Sequence, residues 1–226
     1  MNYKLFAALL FVGCSFMARA QNAAWDSTFR PSGYALKVGL FKSFANSSKD
    51  FIFLGNSITA GTEWNELLNL PHARNRGISG DITFGVLERL EEVIEGKPAK
   101  VFILIGINDI SRNIPDSFIV DNYKKMVERI KKGSPKTKIY LQTLLPVNNE
   151  FTQFKNHYNK DNHILYINEE LKKLAQAYNV QLIDLYPHFL DGSGKLDKAY
   201  TQDGLHLNSE GYKKWASILQ KGNYLK

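Results

Sequence analysis

Cysteine is nearly absent: Cys14 is the only one in 226 residues. A membrane-length apolar run is missing too, because the leading one, Leu5 to Met17, is too short to cross a bilayer. There is no internal repeat, low-complexity tract or linker, so one domain over residues 21–226 is expected, with 24–48 as a lead-in segment. A recognisable nucleic-acid-binding motif is lacking as well. The formal net charge is +7, but Lys97, Lys100, Lys124, Lys125, Lys131, Lys132, Lys172 and Lys173 are spread over several segments and interleaved with acids. That is the pattern of solvated helix faces, not of a nucleic-acid footprint. What is present is ordinary globular composition, 44% hydrophobic and 23% charged, enough to bury a core.

The first residues read as a targeting segment. Met1 to Lys4 carries positive charge, Leu5 to Met17 is apolar, and Ala18-Arg19-Ala20 supplies small residues where a signal peptidase cuts. Cleavage before Gln21 and export to the periplasm or medium are expected. Lipoprotein processing at Cys14 is the rival, but Phe11-Val12-Gly13-Cys14 fits that signal poorly and lies early in the chain. A cut after Ala20 leaves no thiol, which excludes disulfides and a cysteine nucleophile.

Strand and helix patterns then alternate. Phe51 to Leu54, after Asp50, is a short apolar run that breaks at Gly55 and delivers Ser57. Thr62 to Leu70 has helical character, Ala73 to Ile78 is a polar strand candidate, and Val86 to Ile94 is spaced as a helix. Val101 to Ile105 is the clearest buried strand and runs into Gly106-Ile107-Asn108-Asp109. A helix over Asp116 to Lys132, a strand over Lys138 to Leu144, a polar loop from Asn148 to Asn162, a helix to Tyr178 and a strand over Val180 to Leu185 follow. The last helix starts at Asn208, a cap-forming residue. Five β–α alternations with short connections predict an α/β fold: a five-stranded parallel sheet with helices on both faces.

Four polar spots fall at or beyond strand ends: Ser57, Gly80, Asn108 and Asp203-Gly204-Leu205-His206. Ligands of such sheets bind at the strands' C-terminal edge, where these spots would gather. Together they offer what acyl transfer needs. A serine hydroxyl requires a base within about 3 Å, and histidine, with an ordinary pKa of about 6.5, suits that task near neutral pH. A carboxylate on the other ring nitrogen fixes its tautomer. Preorganised N–H donors must then receive the oxyanion, and a backbone N–H at Gly80 and the amide of Asn108 are of that type.

Gly55-Asn56-Ser57-Ile58, Gly80, Gly106-Ile107-Asn108-Asp109 and Asp203-Gly204-Leu205-His206 resemble, in order, the four signature blocks of the SGNH (GDSL-like) hydrolase family. The resemblance spans essentially the whole chain after the leader. It implies a three-layer α/β/α, flavodoxin-like domain. It also implies Ser57 as nucleophile, His206 and Asp203 as its triad partners, and Ser57, Gly80 and Asn108 as the oxyanion hole. Asn56 and Ile58 depart from the family's Gly-Asp-Ser-Leu, which puts the hydrogen bonds under the serine turn in question. Asn75 to Asp81 and Leu144 to Asn148 look like the branch of platelet-activating-factor acetylhydrolase-like and carbohydrate-esterase-like members. That branch implies a secreted esterase acting on small acyl esters, O-acetyl groups on sialic acid or polysaccharide foremost. A lysophospholipase, thioesterase or platelet-activating-factor-type acetylhydrolase is the second enzyme reading. A carbohydrate-binding protein on an esterase scaffold is the non-enzymatic one.

Each residue also has a plainer reading. Ser57 also suits a helix cap, His206 a surface position, Gly80 a turn alone, and Asp109 suits a turn better than chemistry. Arg76, Asn148 and Phe151 are candidate substrate contacts, and Phe154 and Tyr158 could line the same pocket or pin the loop. His157 and His163, near Asp161, have metal-ligand chemistry but no regular element to fix them; His72 and His188 lie beside prolines. The chemistry inferred needs no metal or cofactor. Its partner is a small-molecule or glycan ester, and no oligomeric state follows from the sequence.

Overall fold

The short apolar runs pair side by side, all parallel, as segments buried on both faces do. In the computed structural model, which describes residues 25–226, they are β1 (Phe51–Gly55), β2 (Ala73–Gly77), β3 (Lys100–Leu104), β4 (Lys138–Gln142) and β5 (Gln181–Ile183). Their order is β2-β1-β3-β4-β5. This is the flavodoxin-like order, whose topological switch, and therefore ligand crevice, lies between β1 and β3. The expected α/β fold is the one observed. The leader expected at 1–20 lies outside the described residues.

Helix α1 (Tyr34–Ser43) precedes the strands, α2 (Ser57–Ala60), α3 (Trp64–Leu67), α4 (Thr83–Glu88), α5 (Glu91–Ile94), α6 (Ile107–Ser111), α7 (Asp116–Gly133) and α8 (Asp161–Tyr178) connect them, and α9 (Ser209–Lys221) follows. None of the described helices is long and apolar enough to cross a membrane. On one face of the sheet Phe53, Phe102 and Tyr140 sit opposite one another in register on β1, β3 and β4. Their rings stack at 4.7 and 4.6 Å. Trp64 of α3 continues the row at 4.0 Å from Phe53, and Trp215 of α9 meets Trp64 edge-on at 4.8 Å. The Trp215 Nε1–H is satisfied by Gln142 Oε1 at 2.8 Å, so the indole is buried without a stranded donor. The alternate strand residues, Leu54, Ile103 and Leu141 among them, are fully buried toward the opposite face. Helix α7 packs against both α4 and α8.

Two expected helices come out broken. Thr62 to Leu70 contains only the single turn of α3, ended by Asn69 in left-handed geometry. The Val86 to Ile94 segment is split into α4 and α5 where the Arg89 side chain turns inward. The lead-in segment contains α1, which buries Tyr34 and Phe41 against Ile78, while Leu36, Leu40 and Phe44 are exposed. Residues 34, 38 and 41 share one helical face, and 36 and 40 lie on another.

Candidate active site

β1 ends at Gly55, where a side chain cannot fit: a Cβ there would lie 2.3 Å from the Leu104 carbonyl and 2.2 Å from Thr59 Oγ1. Close approach of β3 and α2 therefore requires glycine. Asn56 caps α2, its Oδ1 accepting the Ile58 N–H at 3.0 Å, which replaces a bond the first turn cannot make for itself. Ser57 is thus the first residue of a helical turn at the C-terminal edge of a central strand. Its own N–H donates to no protein acceptor among the described residues.

His206 reaches this serine from 149 positions away, Nε2 lying 2.9 Å from Ser57 Oγ. On the other side His206 Nδ1 is 2.8 Å from Asp203 Oδ2. Asp203 Oδ1 accepts the Leu205 and His206 N–H groups at 2.9 and 2.7 Å, so one carboxylate oxygen shapes the turn and the other holds the ring. Burial raises the Asp203 pKa, but these bonds and the His206 ring outweigh it and hold the carboxyl below its usual range. It therefore stays ionised beside the imidazole. Thr201 Oγ1 donates to the His206 carbonyl at 2.7 Å and accepts the Gly204 N–H at 2.9 Å. Gly204 has φ of 75°, and a Cβ on it would meet the Asn148 carbonyl at 2.4 Å. Tyr158 donates its hydroxyl to the Asp203 carbonyl, tying the β4–α8 connection to this turn.

Gly80, with φ of 79°, follows β2, and its N–H has no protein acceptor among the described residues. Asn108 stands on α6, just beyond β3. Its Nδ2 donates to the Asp81 carbonyl at 3.0 Å, beside Gly80, and its Oδ1 lies 3.0 Å from His157 Nε2. The Gly80-Asp81 turn is pinned from below by buried Arg89, whose Nε meets Asp81 Oδ2 at 3.0 Å. Arg89 Nη2 bonds the Gly55 and Arg76 carbonyls at 3.1 and 2.9 Å. One guanidinium thereby joins the ends of β1 and β2 to that turn. Asp109 is fully buried and accepts the Thr83 N–H at 3.0 Å, bridging α6 to the start of α4.

The structure brings Ser57, Asp203 and His206 into contact and sets Asn108 against the Gly80-Asp81 turn. Two of the expected substrate contacts fall elsewhere. Arg76 is 2% exposed, paired with Glu92 at 3.0 Å and lying over the Phe41 ring at 4.9 Å; cover by α1 and α5 directs it into an ion pair, not toward substrate. Asn148 is fully buried, donating to the Leu196 carbonyl at 2.9 Å while its N–H binds the Gly204 carbonyl, so it braces the Asp203–His206 turn. Phe151 packs behind Gly204. The aromatic next to the triad is Phe154, edge-on to His206 at 4.9 Å and to His157 at 5.8 Å. His163 pairs with Asp116 and Asp161 with Lys195, so the three residues with metal-ligand chemistry part company. Sequence spacing could not have found Arg89, Tyr158, Thr201 or the His157–Asn108 contact, since each acts across a large separation or through the backbone. His157 also lines a cavity of about 350 Å³, together with Trp25, Asp26, Ser111, Arg112 and Asn156.

A serine, histidine and aspartate in hydrogen-bonded series at the C-terminal edge of a parallel sheet define a serine-hydrolase class of α/β proteins. Within it, the chain belongs to the GDSL-like lipase/acylhydrolase family, whose model matches residues 53–214. A rat relative, platelet-activating factor acetylhydrolase IB subunit alpha2, is 31% identical over 171 residues, 73% of this chain and 72% of that protein. A solved structure from Streptococcus pneumonia, named for platelet activating factor, superposes with a TM-score of 0.78 at 30% identity, covering 85% of this chain and 92% of that one. An acetyl xylan esterase shares the fold with a TM-score of 0.64 at 24% identity, over 76% of this chain and 98% of its own.

Proposed function

We propose that this protein is an exported serine esterase that removes small acyl groups, acetyl foremost, from carbohydrate hydroxyls. The observation that carries the reading is the relay from Ser57 through His206 to Asp203, at 2.9 and 2.8 Å. His206 Nε2 takes the Ser57 proton as Oγ attacks the ester carbonyl, and the Asp203 carboxylate stabilises the imidazolium. The oxyanion is received by the Ser57 and Gly80 N–H groups and the Asn108 amide. Collapse of the tetrahedral intermediate expels the alcohol, which takes the proton from His206. Water, deprotonated by the same ring, then hydrolyses the acyl-Ser57 ester.

Support for a sugar-bearing alcohol comes from the cavity on which His157, the partner of Asn108, borders, whose lining is polar and aromatic with no aliphatic side chain. A lining of polar and aromatic side chains suits a pyranose better than an extended acyl chain. The rat relative's name supports acetyl as the acyl group. Ser57→Ala is expected to abolish acetate release from acetylated glycans without changing the melting temperature; undiminished turnover refutes the mechanism. Comparing acetyl with octanoyl esters of one alcohol separates this reading from the lipid-directed one. A preference for the octanoyl ester overturns it, since each methylene is worth about 1–3 kcal/mol in an apolar pocket. Export rests on the sequence of residues 1–20, and an intact mass beginning at Gln21 is the expected result.

A further inference from the structure

Of the residues around Ser57, His157 has the most constrained chemistry and no role in the relay. The Asp81 carbonyl can only accept, so the Asn108 atom 3.0 Å from it is the amide nitrogen, and the atom facing His157 is the amide oxygen. An amide oxygen has no proton to give. His157 Nε2 must therefore carry the hydrogen, which leaves Nδ1 bare, and Nδ1 is buried without a protein partner. Burial, with the nearby His206 and Arg112 charges acting in the same sense, pushes the His157 pKa down to about 4. The ring is a neutral donor wherever a histidine base can work. Phe154 stands edge-on to both His157 and His206 and fixes one ring relative to the other.

We propose that His157 is a positioning residue for the oxyanion hole, donating Nε2–H to Asn108 Oδ1 so that the remaining Nδ2–H of Asn108 is aimed at the developing oxyanion. This rests on the reading of Asn108 as an oxyanion donor. With Oδ1 held by His157 and one Nδ2–H held by the Asp81 carbonyl, the amide plane has a single orientation. The flipped amide would set its oxygen against the Asp81 carbonyl and its NH2 group against the His157 N–H, so both contacts oppose it. A hydrogen bond at the amide oxygen also draws electron density from its nitrogen and strengthens the remaining N–H as a donor. The gain is realised only when the carbonyl oxygen becomes an anion, so it acts on kcat and not on ground-state binding.

The test compares His157→Ala and His157→Gln in the full enzyme, with acetyl ester turnover and phenylboronic acid, which forms a tetrahedral adduct on serine, as readouts. His157→Ala is expected to lower kcat about 10- to 100-fold with KM within about twofold, somewhat less than outright loss of a hole donor. Boronate affinity is expected to fall in parallel, and His157→Gln, which can offer an amide N–H, to recover part of both. In an Asn108→Ala background, His157→Ala is expected to have no further effect. A His157→Ala enzyme with unchanged kcat, a loss confined to KM, or equal losses in both variants with lowered melting temperature each overturns the proposal. Full activity of Asn108→Ala overturns instead the reading on which it rests, and inactivity of Ser57→Ala fixes the baseline for both.

Discussion

At the scale of single residues, Asn56 shows how a departure from the family pattern is absorbed. Its Oδ1 caps α2 as an aspartate oxygen would, while Nδ2 is buried without an acceptor. Asn56→Ala should cost about 1 kcal/mol of stability through the lost cap, measured by denaturant unfolding. Asp109 gives a sharper expectation. Burial outweighs its bonds to Thr83 and lifts its pKa to about 7 from an ordinary 3.8. The folded state thus holds this proton more tightly than the unfolded chain does. Its contribution to stability is fully present below about pH 4 and is lost as pH rises through about 7, with a slope of at most about 1.4 kcal/mol per pH unit. Asp109→Asn should remove that slope; a difference between variant and parent that stays constant from pH 4 to 7 would count against it.

Among the elements, the strands were easier to read than the short helices. Val101 to Ile105 announced itself as a buried strand because both faces are covered and every residue is apolar. The registered row of Phe53, Phe102 and Tyr140 was invisible, since cross-strand partners are far apart in the chain. Phe102 sits in its middle, and Phe102→Ala should cost about 3–5 kcal/mol, read from the shift in urea midpoint. The Asp203–His206 turn is a second element with its own requirement. Gly204→Ala adds the strain of a left-handed backbone, about 1–2 kcal/mol, and a clash with the Asn148 carbonyl. Because Asp203 and His206 flank that position, kcat should fall more than the melting temperature alone explains; unchanged kcat in a folded variant sinks the idea. Single-turn helices such as α3 were overestimated because apolar spacing continues past the point where Asn69 turns the chain.

For the whole molecule, composition and pattern settled the class. Alternating buried runs and amphipathic segments have few ways to cover their apolar faces, and a parallel sheet wrapped by helices is the one that short connections allow. Strand ends, and with them the positions of Ser57, Gly80, Asn108 and His206, were legible because each block follows or flanks a recognisable element. Side-chain direction was not. Arg76 and Asn148 have the same polar character as substrate-binding residues, and only packing turned them toward Glu92 and Leu196. His157 looked like a stray loop histidine until the β4–α8 connection folded back over α6. The amino-acid sequence by itself determined the architecture and the chemical groups available, because periodicity and residue type are local. Which polar groups meet was decided by tertiary structure alone, since a hydrogen bond of about 3 Å between residues dozens of positions apart is fixed by how the elements pack.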